Sequence, residues 1–352
     1  EYVIFEGPGM DAFAESPEWG GSLVIFPFMY YETYGDDSLI KKYYPNMRRY
    51  VDYLKTRADK GILSFGLGDW YDYGDFRAGF SRNTPVPLVA TAHYYMTVMY
   101  LVQAAKMVGN DFDIHYYTSL AQDIMVAFNK CFLHKDTAQY GTGSQCSNAL
   151  PLFLQMTQDA DKQGNYRPDA DLNEKVFANL IKDVEAHGNR LTTGDVGNRY
   201  LIQTLARNGE HELIYKMFNH EEAPGYGFQL KFGATTLTEQ WDPRQGSSWN
   251  HFMMGQIDEW FFNSLVGIRP STTPKQGYQK FIIAPQPVGD LKYVKASYET
   301  LYGTINVDWT CENGTFTLNV SVPVNTTAVV YLPGEKEPKE IQSGTYQLVC
   351  AK

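Results

Sequence analysis

The sequence predicts a mainly α-helical protein: an α/α barrel followed by a small antiparallel β-sandwich. Three observations support this prediction. Apolar residues recur at helical spacing over about three quarters of the 352 residues. Gly-rich loops alternate with shorter turns between the helices, as expected for a barrel of helix hairpins. Beyond residue 270 the pattern changes to short β-branched or aromatic runs separated by Pro, Gly and Asn, which is typical of strands.

The first predicted helix hairpin spans residues 18–34 and 38–59, with a turn at residues 35–37. In its second helix the apolar stripe runs from Ile40 to Leu54 at helical spacing. Further helices are predicted at 87–108, 111–132, 145–158, 171–187, 197–207, 211–218 and 255–266. This gives about nine helices in a predicted domain of residues 1–269.

The remaining residues, 270–352, form the predicted β-sandwich domain, which begins with a Thr- and Pro-rich linker at 270–276. Six or so short strands are enough for a small sandwich of two antiparallel sheets. They are predicted at 278–284, 293–299, 303–311, 315–322, 328–332 and 345–349.

Composition narrows the possible functions. The formal net charge of -10 and the pI near 5.2 argue against nucleic-acid binding, which requires clustered Lys and Arg. No apolar run approaches the roughly 18 residues needed to cross a bilayer, so we expect a soluble protein without a membrane partner. The cysteines, at positions 131, 146, 311 and 350, lack CxxC spacing, and neither a metal site nor a cofactor is predicted.

Two Gly-flanked segments carry the residue types of a carbohydrate site: FGLGDWYDYG at 65–74 and GATTLTEQWD at 233–242, the latter followed by His251. Carboxyl, indole and imidazole groups can together hold a sugar and activate a water. Aromatic residues make up 15% of the chain, and their rings suit the apolar faces of sugars, although an aromatic-rich helical core explains the excess nearly as well. Two such segments in one chain favour a shared pocket.

The order of motifs resembles glycoside hydrolase family 78, the α-L-rhamnosidases, over nearly the whole chain. The matching segments are SPEWG at 16–20, GLGDW at 66–70, NTP at 83–85 with LVATA at 88–92, LTTGDVG at 191–197, GATTLTEQWD at 233–242, NHF at 250–252, GQIDEW at 255–260 and PVNTTAV at 323–329. As a set these motifs are specific, although each alone would be weak.

This resemblance implies an (α/α)6 barrel with a C-terminal β-sandwich, and hydrolysis of terminal α-L-rhamnosides with inversion. Glu239 matches the general base of the family. The substrate-pocket positions of the family fall on Trp19, Asp69, Trp70 and His251. Asp72, Asp195 and Trp241 are added to the predicted substrate-binding set from their positions in the same loops.

Each of these residues also has a purely structural interpretation. Trp19 could be a core residue at a helix start, and His251 a hydrogen-bonded core histidine. Asp69 could cap its own turn beside Gly68.

The general acid of the family lies near the start of the catalytic domain, and the present sequence begins at Glu1 after that point. We therefore expect the acid to lie upstream, the barrel to be N-terminally incomplete, and the chain alone to be inactive. The upstream sequence would test this expectation most directly.

Two alternatives stay open: a sugar-binding fragment without turnover, and another α/α-barrel carbohydrate enzyme, a lyase or glucuronyl hydrolase. The expected partner is a rhamnose-containing oligosaccharide or glycoside. A periplasmic or secreted location is favoured over the cytoplasm, while the aglycone, the linkage and the oligomeric state are not determined by the sequence.

Overall fold

A computed structural model of the chain describes residues 5–7, 10–13, 15–160, 166–245, 248–271 and 274–351. The chain divides into two compact units. The first comprises Glu1–Phe26, Ile40–Thr204 and Asn219–Met254, and the second comprises Pro27–Leu39, Leu205–Phe218 and Gly255–Lys352. Each unit is therefore discontinuous in sequence, and the boundary after residue 269 stays a prediction.

The described helices follow the predicted order. They are α1 Pro17–Gly20, α2 Ser22–Tyr34, α3 Ser38–Arg57, α4 Val86–Val108, α5 Asp111–Phe132, α6 Gln145–Phe153, α7 Ala170–Ala186, α8 Gly197–Arg207, α9 His211–Phe218, α10 Tyr226–Lys231 and α11 Ile257–Trp260. Short 3-10 turns lie at Pro243–Gln245, Phe252–Met254 and Pro274–Gln279, and a π-helical turn at Phe261–Val266 continues α11. The helices predicted at 38–59, 87–108, 111–132, 171–187, 197–207 and 211–218 are confirmed to within two residues at each end.

The other predicted helices differ from the structure in their extents. The segment 18–34 forms two helices, α1 and α2, separated at Gly21. The helix predicted at 145–158 ends at Phe153, because Gln155 adopts a left-handed backbone with φ of 57°. Residues Gln158–Ala160 then form a strand, β5, paired with β6 at Tyr166–Pro168. The earlier short strands are β1 Phe5–Gly7, β2 Met10–Phe13, β3 Leu133–His134 and β4 Gln139–Tyr140. Helix α10 was not predicted, because it is only 6 residues long and follows a turn rich in Gly and Pro.

Local chemistry explains where three of the helices of the first unit begin. The side chain of Asn110 accepts the backbone N–H of Asp113 at 3.1 Å at the start of α5. Ser144 caps α6 and Asp169 caps α7 in the same way. Such caps satisfy N–H groups that have no partner within the helix.

Helix α4 runs through the core of the first unit, and its buried His93 is a satisfied core residue. Its Nδ1 lies 2.8 Å from the carbonyl oxygen of Val89, and its Nε2 lies 3.0 Å from the hydroxyl of Tyr200. Burial lowers the pKa of His93 to about 4, so the ring is neutral at physiological pH. A neutral, hydrogen-bonded imidazole needs no functional explanation.

The second unit contains two four-stranded sheets, which confirm the predicted β-rich C-terminal region. The strands of these two sheets are β7 Ile268–Pro270, β8 Lys280–Ile283, β9 Tyr293–Thr300, β10 Gly303–Glu312, β11 Thr315–Val322, β12 Thr327–Val330, β13 Lys339–Ile341 and β14 Gly344–Ala351. One sheet has the order β14-β11-β10-β9 and is antiparallel throughout. The other has the order β13-β12-β8-β7, and its β12–β8 pair is parallel, contrary to the all-antiparallel prediction.

Alternating burial fixes the inner faces of these sheets. Phe316, Leu318 and Val320 are buried on β11, and the residues between them are more exposed. Trp309 on β10 is fully buried, and its indole N–H donates to the carbonyl oxygen of Leu265 at 3.0 Å. Hence even the largest side chain of this core has its polar atom satisfied.

No helix in the described parts of the chain combines the length and apolar composition that crossing a bilayer requires.

Candidate active site

The 65–74 loop lies against helix α1. The backbone N–H of Leu67 donates to the hydroxyl oxygen of Ser16 at 3.0 Å, and the N–H of Gly68 donates to Glu18 Oε1 at 3.1 Å. Gly66 has a φ of 134°, and a Cβ there would lie 2.7 Å from Glu18 Oε2. Glycine is therefore required both by conformation and by space. These contacts bring Trp19 of α1 close to the loop that carries Trp70.

The 190–197 loop is joined to the 65–74 loop through backbone atoms. The N–H of Asp195 donates to the carbonyl oxygen of Trp70 at 2.7 Å, and the N–H of Tyr73 donates to the carbonyl oxygen of Thr192 at 3.1 Å. A Cβ on Gly194 would lie 2.0 Å from the Trp70 carbonyl oxygen. The two loops approach so closely that only glycine fits at this joint.

Asp69 and Asp72 are buried within these joined loops. Asp69 is 0% exposed, and its Oδ1 accepts the N–H of Gly197 at 2.6 Å. Asp72 is 1% exposed, and its Oδ2 accepts the N–H groups of Arg82 at 2.7 Å and Asn83 at 2.6 Å. Burial raises the pKa of both carboxyls, that of Asp69 to about 7. Asp69 also contacts the buried Cys146 thiol, and the contact of both carboxyls with substrate remains a prediction.

Asp195 is a buried carboxyl whose pKa is strongly raised. Burial raises its pKa first, and the nearby charges of Asp69 and Glu239 raise it further, to about 8. Its exposed fraction is 4%. Asp195 is thus protonated at neutral pH and can donate a hydrogen bond. The electrostatic coupling also places Asp69, Asp195 and Glu239 in one cluster.

Glu239 is half-buried in the 233–251 loop, where the chain pairs with itself. Its N–H donates to the carbonyl oxygen of Ser248 at 2.9 Å, and its Oε2 accepts the N–H of Ser248 at 3.1 Å. The N–H of His251 donates to the carbonyl oxygen of Leu237 at 3.0 Å. The half-buried His251 ring stacks on Phe252 with centroids 6.0 Å apart. This pairing places Glu239 and His251 on the two sides of one loop.

The predicted tryptophans differ in exposure. Trp19 and Trp70 are half-buried, and Trp70 meets Phe80 edge to face at 5.1 Å. Trp241 is only 1% exposed and packs on the ring of Tyr226 at 5.3 Å. The structure therefore leaves Trp19 and Trp70 with accessible surface and places Trp241 in the core behind Glu239.

Asp242, at the end of the Glu239 segment, forms a bidentate ion pair with Arg244. The Nε–Oδ1 distance is 2.8 Å and the Nη2–Oδ2 distance is 2.9 Å. The hydrogen bonds from Arg244 lower the pKa of Asp242. The Arg244 guanidinium also lies 4.4 Å from the ring centroid of Phe232. The turn after Glu239 is thus fixed by a local charge pair.

Sequence reasoning missed the importance of Glu18 and Gly194. Glu18 lies in the first turn of α1, where an anion is expected for structural reasons alone, but its carboxyl binds the 65–74 loop and burial raises its pKa to about 7. The signals in the sequence were the paired glycines at 66 and 68 and the TTGDVG segment at 192–197. Within the described residues, no group of three or more His, Cys, Asp or Glu side chains is arranged to hold a metal ion.

Comparison with known families agrees with this architecture. Residues 3–265 match the bacterial alpha-L-rhamnosidase 6 hairpin glycosidase domain. Residues 267–347 match the bacterial alpha-L-rhamnosidase C-terminal domain. Among curated proteins, an alpha-L-rhamnosidase of Streptomyces avermitilis is 28% identical over 335 residues, covering 92% of this chain and 30% of the relative. One from Formosa agariphila is 28% identical over 344 residues, covering 94% and 35%.

Solved structures give the same result. The alpha-L-rhamnosidase of Dictyoglumus thermophilum has a TM-score of 0.85 and 30% identity, covering 97% of this chain and 40% of that one. The Streptomyces avermitilis enzyme complexed with L-rhamnose has a TM-score of 0.81 and 25% identity, covering 94% and 33%. The chain spans about a third of the length of the curated relatives it matches. On these matches, the chain belongs to the family of bacterial α-L-rhamnosidase six-hairpin glycosidase domains.

Proposed function

We propose that the chain forms part of a glycoside-hydrolase site that hydrolyses terminal α-L-rhamnosides with inversion, with Glu239 as the general base. The proposal rests on the exposure and the backbone contact of the Glu239 carboxyl. A base must be a carboxylate that water can reach. Glu239 is half-buried, and one backbone N–H orients its carboxylate without enclosing it. The substrate class is supported by the relatives, which are named alpha-L-rhamnosidases, one of them complexed with L-rhamnose.

Substrate recognition follows from the groups around Glu239. The accessible indoles of Trp19 and Trp70 stack on the apolar face of the sugar. The protonated Asp195 donates a hydrogen bond to a sugar hydroxyl, and His251 supplies a second polar contact. Because Trp70 and Asp195 sit on loops joined through their backbones, this part of the pocket is preformed and loses little entropy on binding.

The buried members of the predicted set act differently. Asp69 and Asp72 are positioning residues that hold the loop of Trp70 through backbone N–H groups. Trp241 supports the Glu239 segment from the core side.

Inversion also needs a general acid, with the two carboxyls roughly 6.5–9.5 Å apart. The acid expected upstream of Glu1 remains a prediction. Within the chain, Asp195 and Glu18 are carboxyls whose raised pKa values keep a proton near neutral pH. Release of rhamnose from a natural disaccharide by this chain alone would show that the acid is present in it, because poor leaving groups need protonation.

The test of the base is Glu239→Gln, which keeps the shape of the side chain. In the complete protein, we expect this substitution to lower kcat on an aryl α-L-rhamnoside by about 10²–10⁴-fold or more, with little change in KM. NMR of the first product formed by the wild-type protein should show the inverted, β anomer. Glu221→Gln, on an exposed carboxylate, is the control. Near wild-type turnover by Glu239→Gln, or a retained anomer, would reject the mechanism.

The alternatives predict different outcomes. A uronate-directed lyase needs an arginine available for the substrate carboxylate. Arg244 is paired with Asp242 and Arg190 with Glu222, whereas Arg77 lies exposed just beyond the 65–74 loop. A sugar-binding fragment would bind L-rhamnose without turning over any rhamnoside in the complete protein.

A further inference from the structure

A cavity lies beside the joined 65–74 and 190–197 loops of the candidate active site. Its volume is about 340 Å³, within the roughly 300–1,000 Å³ range of small-molecule pockets. The lining residues with rings or polar groups include Tyr73, Phe76, Asn83, His187, Arg190 and Thr192. None of these residues belongs to the group assigned above to rhamnose or to the base.

The cavity is lined by the same two joined loops that carry Trp70 and Asp195. Tyr73 follows Trp70 by three residues, and Thr192 precedes Asp195 by three. The Tyr73 phenol is close enough to Asp242 for that charge to raise its pKa, after the larger effect of burial. One end of the joined loops therefore bears the predicted rhamnose contacts, and the other end lines the cavity.

The walls of the cavity are held in place without a ligand. Asn83 Nδ2 donates to the carbonyl oxygens of Tyr73 and Thr192, both at 3.0 Å. The Arg190 guanidinium forms an ion pair with Glu222 and donates to the carbonyl oxygen of Ala223 at 3.4 Å. Such preorganisation favours binding of a ligand that fits the existing shape.

The lining suits a neutral sugar. The Tyr73 ring lines the cavity together with the half-exposed Phe76 ring, one face of which lies 5.4 Å from the Arg82 guanidinium, and both offer apolar surface to a sugar. His187 Nδ1 donates to the Asp183 carbonyl oxygen at 2.7 Å and lies 3.3 Å from Asp183 Oδ2, so Nε2 is the ring nitrogen that can face a sugar hydroxyl. A carboxylate is disfavoured, because the charge of Arg190 is already balanced by Glu222 and the exposed Asp75 also lines the cavity.

We propose that this cavity binds the neutral pyranose to which the terminal rhamnose is linked. The proposal rests on the proposed function, since it assigns the cavity to the leaving-group sugar of the same reaction. It makes the segment 73–76 the part of the chain that selects the aglycone.

The test measures two ligands independently, by NMR or calorimetric titration of the protein. L-rhamnose probes the Glu239 site, and methyl β-D-glucopyranoside probes the cavity. We expect Phe76→Ala to weaken glucoside binding by about tenfold or more. Tyr73→Phe, which removes only a hydroxyl, should weaken it by a smaller factor and serves if Phe76→Ala fails to fold. Phe112→Ala, on a phenylalanine 74% exposed on α5, is the matched control.

A third ligand, methyl β-D-glucuronide, tests the preference for a neutral sugar. It should bind more weakly than the glucoside, and Asp75→Asn should strengthen only the glucuronide, because that variant removes a repulsive charge. The proposal is overturned if the glucoside does not bind, if both ring variants bind it like wild type, or if the glucuronide binds more tightly. Absence of rhamnose binding alone counts against the proposed function, so the two failures are distinguishable.

Discussion

Glu18→Gln should make the stability of the protein less sensitive to alkaline pH. Glu18 Oε1 accepts the N–H of Gly68, and its other oxygen accepts the hydroxyl of Ser16. Burial, with a smaller contribution from the charge of Glu15, raises its pKa from 4.5 to about 7. Glutamine keeps an acceptor for Gly68 but cannot ionise.

The size of the effect follows from this pKa. Between pH 4.5 and about 7 the folded protein keeps the Glu18 proton that the unfolded chain has lost. The folded state therefore binds more protons, and stability decreases as pH rises through this window. A pKa change of 1 corresponds to about 1.4 kcal/mol, so ionisation of Glu18 costs about 3 kcal/mol above pH 7. The variant avoids this cost.

The assay is urea unfolding of wild type and Glu18→Gln at pH 5 and pH 9, followed by tryptophan fluorescence. From pH 5 to pH 9, the unfolding free energy of the variant minus that of wild type should increase by about 3 kcal/mol. Asp69 and Asp195 titrate in both proteins and cancel in this comparison. Glu221→Gln controls for the loss of one charge. An equal difference at both pH values would refute the buried-acid interpretation of Glu18.

Other substitutions test the remaining contacts. Trp70→Ala should weaken L-rhamnose binding with little change in Tm, and a large loss of Tm would instead assign Trp70 to the core. Trp241→Ala should lower the unfolding free energy by about 3–5 kcal/mol, as loss of a buried tryptophan does. Gly194→Ala should reduce both the unfolding free energy and rhamnose affinity, because its Cβ would lie 2.0 Å from a carbonyl oxygen, and wild-type values for both would show that the joint is not tight. Arg244→Ala should raise the pKa of Asp242 towards 3.8 in an NMR titration, and an unchanged value would contradict the ion pair.

The long elements were predictable because their signals are local. Residues 111–132 carry a helical apolar stripe bounded by the cap at Asn110, and residues 315–322 alternate strictly between buried and more exposed side chains. The parallel pairing of β8 with β12 was not predictable. Alternation specifies which face of a strand is buried, but not which distant strand lies beside it.

The sequence identified candidate site residues but not their burial. A Gly-flanked aspartate can contact a sugar or hold its own loop, and only the structure shows that Asp69 and Asp72 accept the distant N–H groups of Gly197 and Asn83. The requirement for Gly194 arises from a carbonyl group more than a hundred residues earlier in the chain. No pattern in the neighbouring sequence encodes that approach.

The backbone joint between the 65–74 and 190–197 loops has a consequence for redesign. At the joint, main-chain atoms of Trp70, Gly194 and Asp195 meet with no space for a side chain at position 194, so the way the two loops meet depends on a glycine there. The cavity rim at Asp75 and Phe76 has no such joint and is open to substitution. A library meant to change the accepted glycoside should therefore randomise residues 75–77 and leave residues 192–197 untouched.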